Sequence, residues 1–118
     1  MITGLGTDIV ETSRIEAIES KDNRLSKRIL SADEHAYYST LKDETRRIEY
    51  LAGRYAVKEA YSKALGTGIG ARISFKEINC LNDELGKPYL QNDCNALVSL
   101  SHTKHYATAT VIIQTAKE

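Results

Sequence analysis

The sequence is short of most things that mark a special class of protein. It has one proline, Pro88, and two cysteines, Cys80 and Cys94. Two thiols at that spacing match no zinc pattern and make no disulfide framework, which excludes a stapled secreted scaffold. A reducing compartment, the cytoplasm, is the expected location. Net charge is missing too: sixteen basic residues face sixteen acidic ones. The chain as a whole therefore has no field that draws it to nucleic acid or to an anionic membrane. No apolar run approaches the ~20 residues of a membrane-spanning helix. The opening MITGLGTDIVE has no basic start and meets an acid at Asp8, unlike a secretory signal. Low-complexity tracts and internal repeats are also lacking. What remains is 118 residues, 42% hydrophobic and 27% charged. That profile predicts one domain, 1–118, around one core.

What is present is concentrated in EYLAGRYAVKEAYSKALGTGIG, Glu49 to Gly70. Leu51, Ala52, Tyr55, Ala56, Ala60 and Ala64 recur at spacings of three and four, one stripe of a helix. Glu59 and Lys63 lie one turn apart on one face, with Tyr55 a turn earlier. Gly66, Gly68 and Gly70 end the helix and let other groups approach the backbone. Two readings fit. Glu before Lys at this spacing is the favoured order for a surface ion pair, and a glycine after a helix is an ordinary cap. Alternatively, the carboxylate, the amine and the glycine-rich exit serve a phosphate ester and its metal.

Around this helix the chain reads as a strand, a run of helices and then strands, an α+β pattern. Ile2 to Val10 is the first strand. Gly4, Gly6 and Asp8 alternate onto one of its faces, where something packs closely. An unpaired buried carboxylate is costly, so Asp8 is exposed, caps a helix or binds a cation. Two S-x-x-E pairs, Ser13 with Glu16 and Ser31 with Glu34, predict capping boxes. They would open helices near Arg14 and at Ala32, with a short helix from Arg24 to Leu30 between them. The long helix runs from about Arg46 to Leu65. Arg72 to Leu81 reads as one strand or two short ones. Asn82 to Pro88 is a hairpin turn into Tyr89-Leu90. Leu97 to Ser101 alternates like a half-buried strand, Tyr106 to Gln114 is a mostly buried last strand, and Lys117 and Glu118 fray.

Four places carry polar groups that a plain core does not need: Asp8, Glu59 with Lys63, the Gly66 to Gly70 exit, and Ser101-His102-Thr103 at a strand end. Two carboxylates on separate elements can hold Mg²⁺, which takes oxygen ligands, often one or two carboxylates beside substrate phosphates and water. Lys63 would offer a point charge to a phosphate. His102 has no partnering acid nearby in sequence, so it makes no case for a nucleophilic triad. Basic residues gather early, among them Arg14, Arg24 and Arg28. Arg24 and Arg28 share a helix face, which is either solvated or docks an acidic protein.

These pieces, in this order, resemble the bacterial holo-acyl-carrier-protein synthases, the short single-domain group of 4′-phosphopantetheinyl transferases. One motif is Gly4-Leu5-Gly6-Thr7-Asp8-Ile9-Val10 with Arg14-Ile15 following. A second is Leu51-Ala52-Gly53-Arg54-Tyr55-Ala56-Val57-Lys58-Glu59-Ala60, continuing through Lys63 and Gly66-Thr67-Gly68. The third is Val98-Ser99-Leu100-Ser101-His102-Thr103, and the turn Gly86-Lys87-Pro88 also matches. The resemblance implies an α+β fold with one long central helix packed on a small antiparallel sheet. It implies a homotrimer with sites between subunits. It further implies an enzyme of fatty acid biosynthesis that moves the 4′-phosphopantetheine arm of coenzyme A to a serine of apo acyl carrier protein, releasing adenosine 3′,5′-bisphosphate. Mg²⁺ would be the cofactor, on Asp8 and Glu59, with Lys63 on the same phosphates. Arg54, Gly66, Gly68 and His102 would help hold the nucleotide. Arg14, Arg24 and Arg28 would face the carrier. The rival from another class is a non-catalytic module that holds a nucleotide or an acidic protein; a weaker one is a small Mg²⁺-dependent phosphohydrolase.

Overall fold

The first strand and the long helix meet through glycine. In the computed structural model, which describes residues 1–115, the elements run β1 (Ile2–Glu11), α1 (Thr12–Glu19), α2 (Arg24–Ile29), α3 (Ala32–Tyr38), α4 (Glu44–Leu65), a 3₁₀ turn (Phe75–Glu77), β2 (Cys80–Asn82), β3 (Pro88–Leu90), β4 (Ala96–His102) and β5 (Tyr106–Gln114). The fraying expected for Lys117 and Glu118 lies outside the described residues. A Cβ at Gly6 would sit 1.9 Å from the Ala60 carbonyl oxygen, and one at Gly4 2.3 Å from that of Ala64. Backbone rests on backbone there, because neither strand residue has a side chain to hold the helix off. Ala60 and Ala64 supply the equally small face of α4.

The architecture is α+β. β1, β5 and β4 form a three-stranded antiparallel sheet in that order, and β2 pairs with β3 in a separate antiparallel hairpin. Alternation sends Val10, Val98, Ala107, Ala109 and Val111 inward, where they join Leu51, Ala52, Ala56 and Val57 of α4 in one hydrophobic core. The outer face of the sheet stays open. Leu5, Ile112 and Leu97 are cross-strand partners in one row, and Leu5 is 63% and Leu97 48% exposed. Cys80 is buried and Cys94 exposed, both as free thiols. Among the described residues no helix is long and apolar enough to cross a membrane.

Three local expectations need correction. Ser13 caps nothing: α1 starts at Thr12 with no side-chain cap. Its first turn is tied to the β4–β5 loop instead, where the Thr12 N–H donates to the His105 carbonyl at 2.9 Å and its hydroxyl to that of Lys104 at 3.0 Å. The long helix begins at Glu44, earlier than Arg46, because the Asp43 carboxylate accepts from the Thr45 N–H at 3.2 Å and caps it. The strand expected over Arg72 to Leu81 forms only from Cys80. A further S-x-x-E box intervenes: the Glu77 carboxylate accepts from the Ser74 N–H at 3.0 Å and hydroxyl at 2.9 Å, which winds Phe75–Glu77 into a turn. The box at Ser31 forms as expected, with the Glu34 N–H donating to the Ser31 hydroxyl and the Ser31 N–H to the Glu34 carboxylate.

Candidate active site

The glycine face of β1 continues to Asp8. Because Gly4 and Gly6 lay the strand directly on α4, the next residue on that face meets the helix one turn from Ala60. The Lys63 ammonium donates to Asp8 Oδ1 at 3.0 Å and to the Thr7 carbonyl at 3.0 Å. The ion pair that the spacing of Glu59 and Lys63 suggested therefore gives way to one across two elements. Glu59 stands beside them. Partial burial pushes its carboxyl above the usual range, the charge of Asp8 pushes it further, and Lys63 opposes both. Two carboxylates and one amine thus line one space.

That space is a cavity of about 680 Å³. Arg14, Arg24 and Arg28 line it too, and Ile15, Ile29 and Phe75 add apolar lining. The Tyr55 ring stacks on Phe75 with centroids 5.8 Å apart. Burial raises the Tyr55 hydroxyl pKa, as do Glu59 and Asp8, while Arg14 and Arg28 lower it. One phenol thus feels both the acidic and the basic groups. Such a cavity suits a polyanion carried through a cation: the carboxylates call for the cation, and the arginines for an acidic partner.

Arg54 and His102 lie elsewhere. They line a second groove, also about 680 Å³, with Tyr37, Arg46, Glu49 and Tyr50, and no residue lines both spaces. His102 Nδ1 is 3.1 Å from a Glu49 carboxylate oxygen. The Arg54 guanidinium donates through Nε to the Cys80 carbonyl at 3.2 Å and through Nη2 to Asn82 Oδ1, and it covers the Tyr50 ring at 4.5 Å. It holds the β2–β3 hairpin to α4. Gly66 has φ of 82° and closes the helix: its N–H donates to the Lys63 carbonyl at 3.0 Å, and the Gly68 N–H to that of Ser62 at 3.2 Å. Those N–H groups are therefore spent on the helix end, and of this exit only Ile69 lines the cavity.

The sequence reading missed Lys58. Its side chain is 0% exposed, and its ammonium gives one hydrogen bond each to the Ile29 carbonyl at 2.6 Å, Glu34 Oε1 at 2.5 Å and the Phe75 carbonyl at 2.9 Å. Burial lowers its pKa from the ordinary lysine value, and Glu34 opposes the shift. The signal was available: Lys58 lies two turns from Leu51 and one from Tyr55, on the buried side of the helix.

A family model described as the 4′-phosphopantetheinyl transferase superfamily matches residues 4–116. The chain belongs to that superfamily. Within it, the chain groups with the holo-[acyl-carrier-protein] synthases. It is 48% identical to the one from Staphylococcus carnosus (strain TM300) over 115 residues, covering 97% of this chain and 98% of that protein. A crystal structure of the synthase from Bacillus anthracis str. Ames in complex with CoA (3′,5′-ADP) is 43% identical, with a TM-score of 0.90 over 98% of this chain and 99% of that one. The Neisseria meningitidis synthase gives 33% identity and a TM-score of 0.87 over 98% and 100%. The superfamily's fold and its transferase class are those expected from the three motifs.

Proposed function

We propose that this chain, a single domain over 1–118, transfers the 4′-phosphopantetheine arm of coenzyme A to a serine of apo acyl carrier protein in the cytoplasm, as a step of fatty acid biosynthesis. The observation that carries the reading is the meeting of Asp8, Glu59 and Lys63 in one cavity edged by Arg14, Arg24 and Arg28. The donor set fits Mg²⁺. Among the described residues no group of three or more His, Cys, Asp or Glu side chains gathers, which argues against an all-protein cage. Two carboxylates suit an ion that keeps several waters and shares the rest of its shell with substrate phosphates. Asp8 and Glu59 would hold it, and it would supply charge neutralisation at the pyrophosphate.

The chain's own groups do the positioning on which phosphoryl transfer depends. Lys63 is fixed by Thr7 and Asp8 beside the phosphates and offsets the charge of the leaving group. The arginines set an acidic carrier over the cavity mouth, where its serine reaches the phosphorus. Arg54 and His102 contribute to the nucleotide from another copy of the chain, because within one chain they line a separate groove, while the Gly66–Gly68 exit lies next to Ile69 on the side of the first cavity. The open row Leu5–Ile112–Leu97 supplies the apolar surface for such an assembly, a homotrimer with sites between subunits.

The test is to mix the protein with apo carrier, coenzyme A and Mg²⁺ and weigh the carrier. Group transfer adds about 340 Da, the mass of the arm. An unchanged carrier would mean a binding module, and released inorganic phosphate a hydrolase.

A further inference from the structure

The basic wall of the cavity is α2, and α2 is capped by a side chain from another helix. Between α1 and α2, Asp22 (φ 61°) and Asn23 (φ 57°) are consecutive residues in the left-handed region, neither of them glycine. Such positions are costly for residues with a Cβ and persist only where the surroundings hold them. Asn23 occupies the N-cap position of α2 but makes no side-chain cap bond. A capping side chain normally works from extended backbone, which Asn23 does not have.

Glu19, the last residue of α1, does the capping instead. Its Oε1 accepts from the Ser26 N–H in the first turn of α2 at 2.8 Å. Its Oε2 accepts from the Tyr38 hydroxyl of α3 at 2.8 Å. Tyr38 in turn lies under the Arg47 guanidinium of α4, 4.7 Å from the ring centre. Glu19 is only 4% exposed, and a buried carboxylate is an expensive way to cap a helix. A surface Ser or Asp would do it at less cost. What the buried carboxylate adds is a fixed relation among three helices. That matters for α2, which has six residues and is far too short to hold itself together in water. Leu25, Ser26 and Ile29 are its buried residues, and Arg24 and Arg28 line the cavity alongside Leu25 and Ile29.

We propose that Glu19 is a positioning residue for carrier docking: by capping α2 from α1 and anchoring on Tyr38, it holds Arg24 and Arg28 in the orientation an acidic carrier meets. The inference rests on those arginines facing the carrier. It is tested by steady-state kinetics on the whole protein with each substrate varied separately. Glu19→Leu removes both acceptors. Tyr38→Phe removes one anchor. Glu19→Gln keeps an oxygen for the Ser26 N–H and offers an N–H that the Tyr38 oxygen can accept. The KM for carrier should rise about tenfold in Glu19→Leu, the effect of losing a helix cap, and about threefold in Tyr38→Phe, while Glu19→Gln stays within about twofold. KM for coenzyme A and kcat at saturating carrier should hardly move in any of them.

A folded Glu19→Leu with native carrier KM, or equal losses for both substrates, overturns the proposal. If Glu19→Leu does not fold, the contrast between Tyr38→Phe and Glu19→Gln decides in the same way. Arg24→Glu with Arg28→Glu separates the two levels. If that pair leaves carrier KM unchanged, the docking face itself is wrong. If it raises carrier KM while the Glu19 and Tyr38 variants do not, only the role of Glu19 fails.

Discussion

Replacing Lys58 by methionine keeps the unbranched stem of the side chain, one atom shorter, and removes its charge. In the folded protein every proton of that ammonium is spent, on Ile29, Glu34 and Phe75. Glu34 keeps two donors, the N–H groups of Ser31 and Cys80, each at 2.8 Å. Its charge, however, is then stranded at a position with no access to water. Removing one partner of a buried pair costs about 3–5 kcal/mol, mostly through the charge left behind. Against a total stability of about 5–15 kcal/mol for an ordinary domain, that is a large fraction. The melting temperature should fall by roughly 10–20 °C for a chain of this size. Urea unfolding followed by circular dichroism measures it, with the slope against denaturant unchanged if only stability moves. The decisive comparison is Lys58→Met with Glu34→Gln, which removes the stranded charge while one side-chain oxygen still accepts. The double variant should be more stable than Lys58→Met alone. If it is less stable, the penalty comes from lost hydrogen bonds rather than from charge. If Lys58→Met alone costs under about 1 kcal/mol, the buried-charge argument is wrong.

Asp8→Asn and Glu59→Gln should each lower turnover by several orders of magnitude in folded protein, with the double variant little worse, since groups that act as a unit are not additive. Chelator should abolish wild-type activity and added Mg²⁺ restore it; multiplying losses would mean that the two carboxylates act separately. Gly6→Ala should cost about 3 kcal/mol or more in the same unfolding assay, because its Cβ meets the Ala60 backbone, which cannot rotate away. The Glu77 carboxyl, held below its ordinary value first by the Ser74 N–H and then by its hydroxyl, should titrate below 4.5 by carbon NMR. A depressed carboxyl contributes its stability above the unfolded pKa of about 4.5 and loses it as pH falls through the folded value. Ser74→Ala should bring the midpoint part of the way back up. Finally, Asp8→Asn and His102→Ala chains, each nearly inactive, should recover activity when assembled together; no recovery would place both residues' contributions within one chain.

Much of the fold was legible because its signals are local. Alternation put Gly4, Gly6 and Asp8 on one face of β1, and two bare residues before a carboxylate announced a close contact at that point. Periodicity gave the length of α4 and its small-residue stripe. The parts that were not legible depend on a partner far away in sequence. Lys63 had a carboxylate one turn away in Glu59, and only the approach of β1 shows why it turns to Asp8. Glu34 was visible as half of a capping box, but its second oxygen serves Cys80 and its first is shared with Lys58. Arg54 was expected at the nucleotide, yet much of its guanidinium is engaged by the β2–β3 hairpin. Periodicity says which side of a helix faces inward, not what it meets there.

One geometric fact was legible and bears on the whole site. Arg54 and Glu59 are five residues apart on one helix, which at about 100° per residue turns their side chains roughly 140° away from each other. No straight helix can aim both into one cavity. The sheet imposes the same separation. Asp8 pairs with Ala109 and Ala109 with Leu100, so β5 lies between the strand of Asp8 and that of His102. Two strand spacings, about 9–10 Å, part them before any offset along the strands is counted. Arg54 and His102 do come together, in the second groove, and Asp8, Glu59 and Lys63 come together in the first cavity. Each chain therefore carries these two sets of polar groups in separate spaces, on different faces of the same helix. In the proposed homotrimer, a nucleotide that used both sets would lie between copies, with the cavity of one chain against the groove of the next. Such a head-to-tail arrangement would use each set once per subunit and close as a ring.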